Sequence, residues 1–117
     1  MKEALIILFL HWVFDFVFQT DKMALNKSKD NFWLSVHVAA YSVGVLWMGF
    51  LIGLTNWHLL IFWLLNAGLH WITDYGTSRL NSYLWKKDMR HWFFVSIGFD
   101  QLLHYTALFT TLEYLKP

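Results

Sequence analysis

The sequence predicts an all-α protein: a four-transmembrane-helix antiparallel bundle filling residues 1–117 as one integral-membrane domain. Three observations point there. The 117-residue chain is 57% apolar and only 15% charged, whereas an average soluble domain is about 25% charged. No Asp, Glu, Lys or Arg occurs from Asn31 to Thr73. Two further apolar runs flank that stretch, and each run approaches the roughly 20 residues that cross a hydrocarbon core.

The first run is Ala4–Phe18. It carries His11 and Asp15 and has no small-residue cleavage motif, so it reads as a span and not a signal peptide. The second is Phe32–Leu54, which ends at the Thr55-Asn56 break. The third, Trp57–Ile72, continues as an amphipathic extension through Arg79 toward Tyr83. The fourth is Trp92–Leu115, with Asp100 and Glu113 inside it. Trp33, Trp57, Tyr83, Trp85, Trp92 and Tyr114 gather near the predicted ends, as interfacial belts do. A water-soluble bundle would need polar outer faces, and the second span has almost none. Gly44, Gly49, Gly53, Gly68 and Gly98 are expected where helices approach closely.

Charge sets the orientation. With four alternating spans, Lys22, Lys27, Lys29, Arg79, Lys86, Lys87 and Arg90 fall on one side, and only Lys2 and Lys116 on the other. The positive-inside rule then puts both termini outside the cytoplasm. The loop Gln19–Asp30 reads as ordinary topology-setting charge in preference to a lid for anions. A net charge of +1 with no basic stripe argues against nucleic acid as a partner. The absence of Cys excludes disulfides, thiolate zinc sites and a cysteine nucleophile. No Walker, Rossmann, GxSxG or HExxH pattern occurs.

The polar residues inside the apolar runs carry the functional signal. His11 and Asp15, His37 and Tyr41, His70 and Asp74, and Asp100 and His104 are each four residues apart. That step places both side chains on one helix face. Counting inward from the predicted cytoplasmic ends at about 1.5 Å per residue puts Asp15, His37 and Asp74 at roughly 7–10 Å. The same count puts His11, Tyr41, His70 and Asp100 at roughly 13–16 Å, and His104 at roughly 20 Å. The four polar spots share a band. His11–Phe16 and His70–Tyr75 also share the pattern His-Trp-x-x-Asp-aromatic, which a duplicated helical hairpin would explain.

An Asp near the centre of a membrane helix costs about 2.5–3.5 kcal/mol on insertion scales. Three of them, with no Lys or Arg near in sequence, call for a cation. His11, Asp15, His37, His70, Asp74, Asp100 and His104 are therefore candidate ligands of a divalent transition metal. An N/O donor set makes zinc the default, with manganese and iron as alternatives. Gln19, Tyr41, Tyr75 and Gln101 are candidates for orienting the ligands. His58 and His91, at span ends, are expected in interfacial or loop roles. A single His–Asp pair is usually a buried polar lock between helices; four at one depth shift the balance toward a shared site.

These residues carry a resemblance. HWVFDFVFQTDKMALNK at His11–Lys27, HVAAY at His37–Tyr41, HWITDYGTSRL at His70–Leu80 and FDQLLH at Phe99–His104 resemble the small bacterial and phage membrane-protein family filed as DUF3307, a domain of unknown function. The resemblance covers nearly the whole chain. It implies a multi-pass protein of the bacterial inner membrane and brings no activity with it.

The leading expectation is thus a membrane-embedded metal-binding protein acting as a hydrolase on a lipid-like or amphiphilic substrate, with Asp15 or Asp100 as general base. Two alternatives stand beside it: a metal or proton translocator, which four short helices would form only as a homo-oligomer, and a structural membrane subunit with a hydrogen-bonded polar core. Membrane lipids are the expected partners.

Overall fold

An apolar chain whose single proline is residue 117 has few interruptions to helix formation. The computed structural model describes residues 1–116, and these form helices joined by short turns with no strand among the described residues. The helices are α1 (Lys2–Trp12), α2 (Asp21–Asn26), α3 (Asn31–Ile52), α4 (Asn56–Lys86) and α5 (Arg90–Leu115). The expected four long segments are present, and α2 is an addition within the first loop. A π-turn, Val13–Val17, extends α1, with Phe18 N–H donating to the Val13 carbonyl at 2.9 Å.

Local chemistry sets the boundaries. The Thr20 hydroxyl accepts from Met23 N–H at 3.3 Å to start α2, and the Asp30 carboxylate accepts from Phe32 N–H at 2.8 Å to start α3. α3 stops at Gly53, whose φ of 96° lies in the left-handed region. Leu54 N–H then reaches back to the Gly49 carbonyl at 2.9 Å, and the Leu54 side chain plugs the core. α4 is 31 residues long, so the extension foreseen toward Tyr83 runs on to Lys86.

α1 packs on α3, α3 on α4, and α4 on α5. α1 and α5 make no comparable backbone approach among the described residues; they meet through side chains, Ile7 with Leu108 and Leu112 in one core, and His11 with Tyr105, ring centroids 4.7 Å apart. Lys116 pairs with Glu3 at the terminal end, and Gln101 reaches His11 and Asp15 deeper in. An apolar cluster that includes Ile7, Tyr41, Val45, Met48, Leu54, Phe62 and Leu108 fills the terminal end.

The distribution of polarity is inverted. His11, Asp15, His37, Asn66, His70, Asp74, Asp100 and His104 are buried, while Trp57, Ile72, Phe94 and Phe50 are each more than 60% exposed. α3, at 22 residues, is the one described helix both long and apolar enough to cross a membrane. α4 and α5 are longer but carry more polar residues, so this criterion does not establish four spans.

The glycines divide. A Cβ on Gly44 would lie 2.4 Å from the Phe14 ring, and one on Gly49 would lie 2.5 Å from Leu59 Cδ1. Gly53, Gly68 and Gly98 meet nothing within 4 Å, so the expectation of close packing fails at these three. We expect Gly44→Ala to destabilise the fold by about 1–3 kcal/mol through overpacking. Gly68→Ala should instead be neutral or stabilising by up to about 1 kcal/mol from helix propensity. Thermal unfolding in mild detergent measures both.

Candidate metal centre

α1 with its π-turn, α3, α4 and α5 each deliver one polar spot to the same interior point. On α4, a step of four residues aims His70 and Asp74 at one side. On α1, the π-turn widens the helix around Asp15, a distortion that recurs at functional positions. All seven candidate ligands are buried.

Four of them converge on a common point. His37 Nε2 lies 3.0 Å from Asp15 Oδ1, 3.2 Å from His70 Nε2 and 3.2 Å from Asp74 Oδ2. His70 Nε2 lies 3.4 Å from Asp15 Oδ1 and 3.6 Å from Asp74 Oδ2. Asp15, His37, His70 and Asp74 each offer one ligand atom, all within 4.8 Å of one another. A tetrahedral site with metal–ligand bonds of about 2.0–2.2 Å has ligand–ligand edges of about 3.3–3.6 Å. The observed spacings bracket that range. A buried His/Asp group able to hold a metal ion is therefore present.

The other three ligands stand beside it. His104 Nε2 bridges Asp74 Oδ1 at 3.0 Å and Asp100 Oδ2 at 3.2 Å, and Asp15, Asp100 and His104 form a second close set. His11 Nε2 faces Gln101 Oε1 at 2.7 Å and Asp15 Oδ2 at 3.4 Å. The Gln101 amide donates to Asp15 Oδ2 at 3.3 Å and to Asp100 Oδ2 at 3.0 Å. His11 Nδ1 and the Tyr41 hydroxyl are 3.0 Å apart.

Ring stacking fixes the central imidazole. Tyr41 stacks on one neighbour, His70, with centroids 3.7 Å apart, and His70 stacks on His104 at 4.0 Å. Nδ1 of His37 and of His70 has no partner among the described residues, so no hydrogen bond at the second nitrogen helps to orient these two rings. That differs from the usual ligating histidine, whose second nitrogen is held by a carboxylate or carbonyl.

Two sequence-derived assignments change. Tyr75 faces outward, 43% exposed, stacked on Trp71 and under the Arg79 guanidinium. One residue beyond Asp74 is about 100° around the helix, which removes it from the cluster. Gln19 also stays apart: its Oε1 is buried without a partner among the described residues, at the wall of an adjoining cavity. His58 and His91 are exposed, away from the cluster.

Two contributors were not visible in the sequence. Lys27, just after α2, places Nζ 2.9 Å from Asp74 Oδ2, so the three acids do have a nearby cation. The reading of this loop as purely topology-setting charge is corrected for Lys27. Thr77, one turn beyond Asp74, donates its hydroxyl to Asp100 Oδ1. With His37 and His70 neutral, as ligation requires, three carboxylates outnumber the one ammonium and the single imidazole, His104, that lies between Asp74 and Asp100, so the set stays net negative. A divalent cation would offset that charge.

A family model described as "Protein of unknown function (DUF3307)" matches residues 4–116. The chain belongs to that family. Within this DUF3307 protein, the matched range contains every ligand described above. No curated protein and no solved structure matches the chain.

Because Lys27 offsets part of the buried charge, Lys27→Met should destabilise the metal-free protein by about 2–3 kcal/mol, with its partial solvent access keeping the figure low. Adding a divalent transition metal should restore most of that loss. Unfolding midpoints with chelator and with metal test this; equal loss in both conditions would mean Lys27 matters only to packing.

Proposed function

We propose that this protein is an integral membrane metalloprotein that binds one divalent cation, zinc by default, through Asp15, His37, His70 and Asp74, and uses it for hydrolysis. The single observation that carries the reading is the convergence of those four buried ligand atoms within 4.8 Å of one another. The inverted polarity supports the membrane assignment: large aromatic and aliphatic side chains cover the outside and the ionisable ones are inside. The basic residues of the first loop and the α4–α5 turn lie at one end, with both termini paired at the other through Lys116 and Glu3. This pattern fits a multi-pass inner-membrane protein with the basic end in the cytoplasm.

A cation held there would supply Lewis acidity and an acidified water near neutral pH. The chain's own residues divide the remaining work. Asp100, with its Oδ1 held by Thr77 and Oδ2 by Gln101 and His104, borders both the cluster and the adjoining cavity. It is placed to take a proton from the attacking water and return it to the leaving oxygen. His104 links Asp100 to Asp74 and fixes its rotamer. Tyr41 and His11 hold the floor of the cluster.

The translocator reading is weaker on this geometry. A continuous path would have to leave through the terminal end, where the apolar cluster around Tyr41, Met48, Phe62 and Leu108 closes the bundle. The cavity beside the cluster lies at the lysine-rich end.

Protein extracted in mild detergent should carry one equivalent of transition metal by elemental analysis. His37→Ala combined with His70→Ala should lose it while keeping its helical circular dichroism. A folded wild type without metal, even after incubation with zinc, manganese or ferrous iron, overturns the reading. Asp100→Asn should retain the metal and lower turnover of a chromogenic ester or phosphoester by about 100-fold or more, the scale of general acid–base catalysis.

A further inference from the structure

The cavity beside the cluster identifies a ligand class. It has a volume of about 450 Å³ and lies between the π-turn, α2, α4 and α5, within the range of small-molecule sites. Its floor is formed by Asp15, Asp100 and Gln101, so it meets the candidate metal centre directly. Phe16 of the π-turn faces Phe93 and Ile97 of α5 across it, at the lysine-rich end of the bundle.

The lining has two chemistries. Phe16, Leu25, Trp85, Phe93 and Ile97 supply an apolar wall. Lys27, Lys29 and Lys86 supply three ammonium groups. Lys29 and Lys86 are in no ion pair among the described residues, although they line one cavity. Ser78, only 7% exposed, presents a buried hydroxyl with no hydrogen-bond partner among the described residues, and Asn81 Oδ1 and Gln19 Oε1 are likewise unpartnered. Buried polar groups are rarely left unpaired. Here three of them surround one cavity.

We propose that this cavity binds a phosphate-headed amphiphile, its head among Lys29, Lys86 and Ser78 and its chain along Phe16, Phe93 and Ile97 between the π-turn and α5. The two unpaired lysines, Lys29 and Lys86, match the multiple charge of a phosphate better than that of a carboxylate, while Lys27 is already paired with Asp74. A neutral headgroup would leave them unmatched. The floor acids would repel a phosphate unless a cation neutralises them, so the proposal rests on the metal-centre reading. The apolar wall selects a lipid source over free phosphate.

The test is native mass spectrometry of the full chain from a neutral detergent, with zinc present, using dodecyl phosphate, dodecanol and inorganic phosphate as separate probes. We expect one dodecyl phosphate per chain, with neither dodecanol nor inorganic phosphate retained at the same concentration. Lys29→Met with Lys86→Met, both exposed positions where the fold should hold by circular dichroism, should weaken retention about tenfold. Unchanged retention in that variant, equal retention of dodecanol, or no retention at all overturns the proposal. Retention of inorganic phosphate as strong as that of dodecyl phosphate overturns the amphiphile and leaves a free-phosphate site. The same spectra count metal. Zinc without dodecyl phosphate rejects this ligand and spares the metal centre. Dodecyl phosphate without zinc rejects the metal centre.

Discussion

Three carboxylates removed from water must find compensating positive charge, and the placement of nearly every interior polar group answers that need. Asp15, Asp74 and Asp100 sit within one cluster of imidazoles. Like charges this close in a weakly polarisable interior would drive the helices apart without a counter-charge. Lys27 supplies one positive charge from outside the long helices. Gln101 and Thr77 supply neutral donors to the remaining oxygens. Hydrophobic burial cannot define such a bundle alone, because the outer surface is as apolar as the core. Electrostatic compensation in the middle supplies the register that oil-like packing lacks.

The helices and the meeting of their polar faces were legible in the sequence because both follow from period. A four-residue step on a helix defines a face, and His11, Asp15, His37, His70, Asp74, Asp100 and His104 all obey it. Tyr75 was misplaced for the same reason in reverse: adjacency in sequence means a quarter-turn away in space. Lys27 was illegible because its position depends on how α2 folds back, a tertiary event no local pattern encodes. The π-turn around Asp15 has no sequence signature either. Gly68 and Gly98 look like Gly44 and Gly49 on paper, and only the neighbouring helix distinguishes them.

The His-Trp-x-x-Asp echo gains meaning from the packing. Each copy begins a hairpin, α1 with α3 and α4 with α5, yet the two hairpins meet closely on one side only, through α3 and α4. A fully symmetric assembly would close the other side as well. The cavity lies on that more loosely paired side, between α5 and the π-turn that follows α1. The two histidines without counterparts in that echo, His37 and His104, sit on the partner helices and approach Asp74 from opposite oxygens.

On the membrane reading proposed above, the apolar plug at the terminal end would have a bioenergetic consequence. A bilayer protein lined with ionisable groups threatens to short-circuit the proton gradient across its membrane. Here the interior is a cup with one rim, sealed beneath by Ile7, Met48, Phe62 and Leu108. Such an apolar seal would oppose the passage of charge through the bundle. A cell could accumulate many copies without draining its membrane voltage.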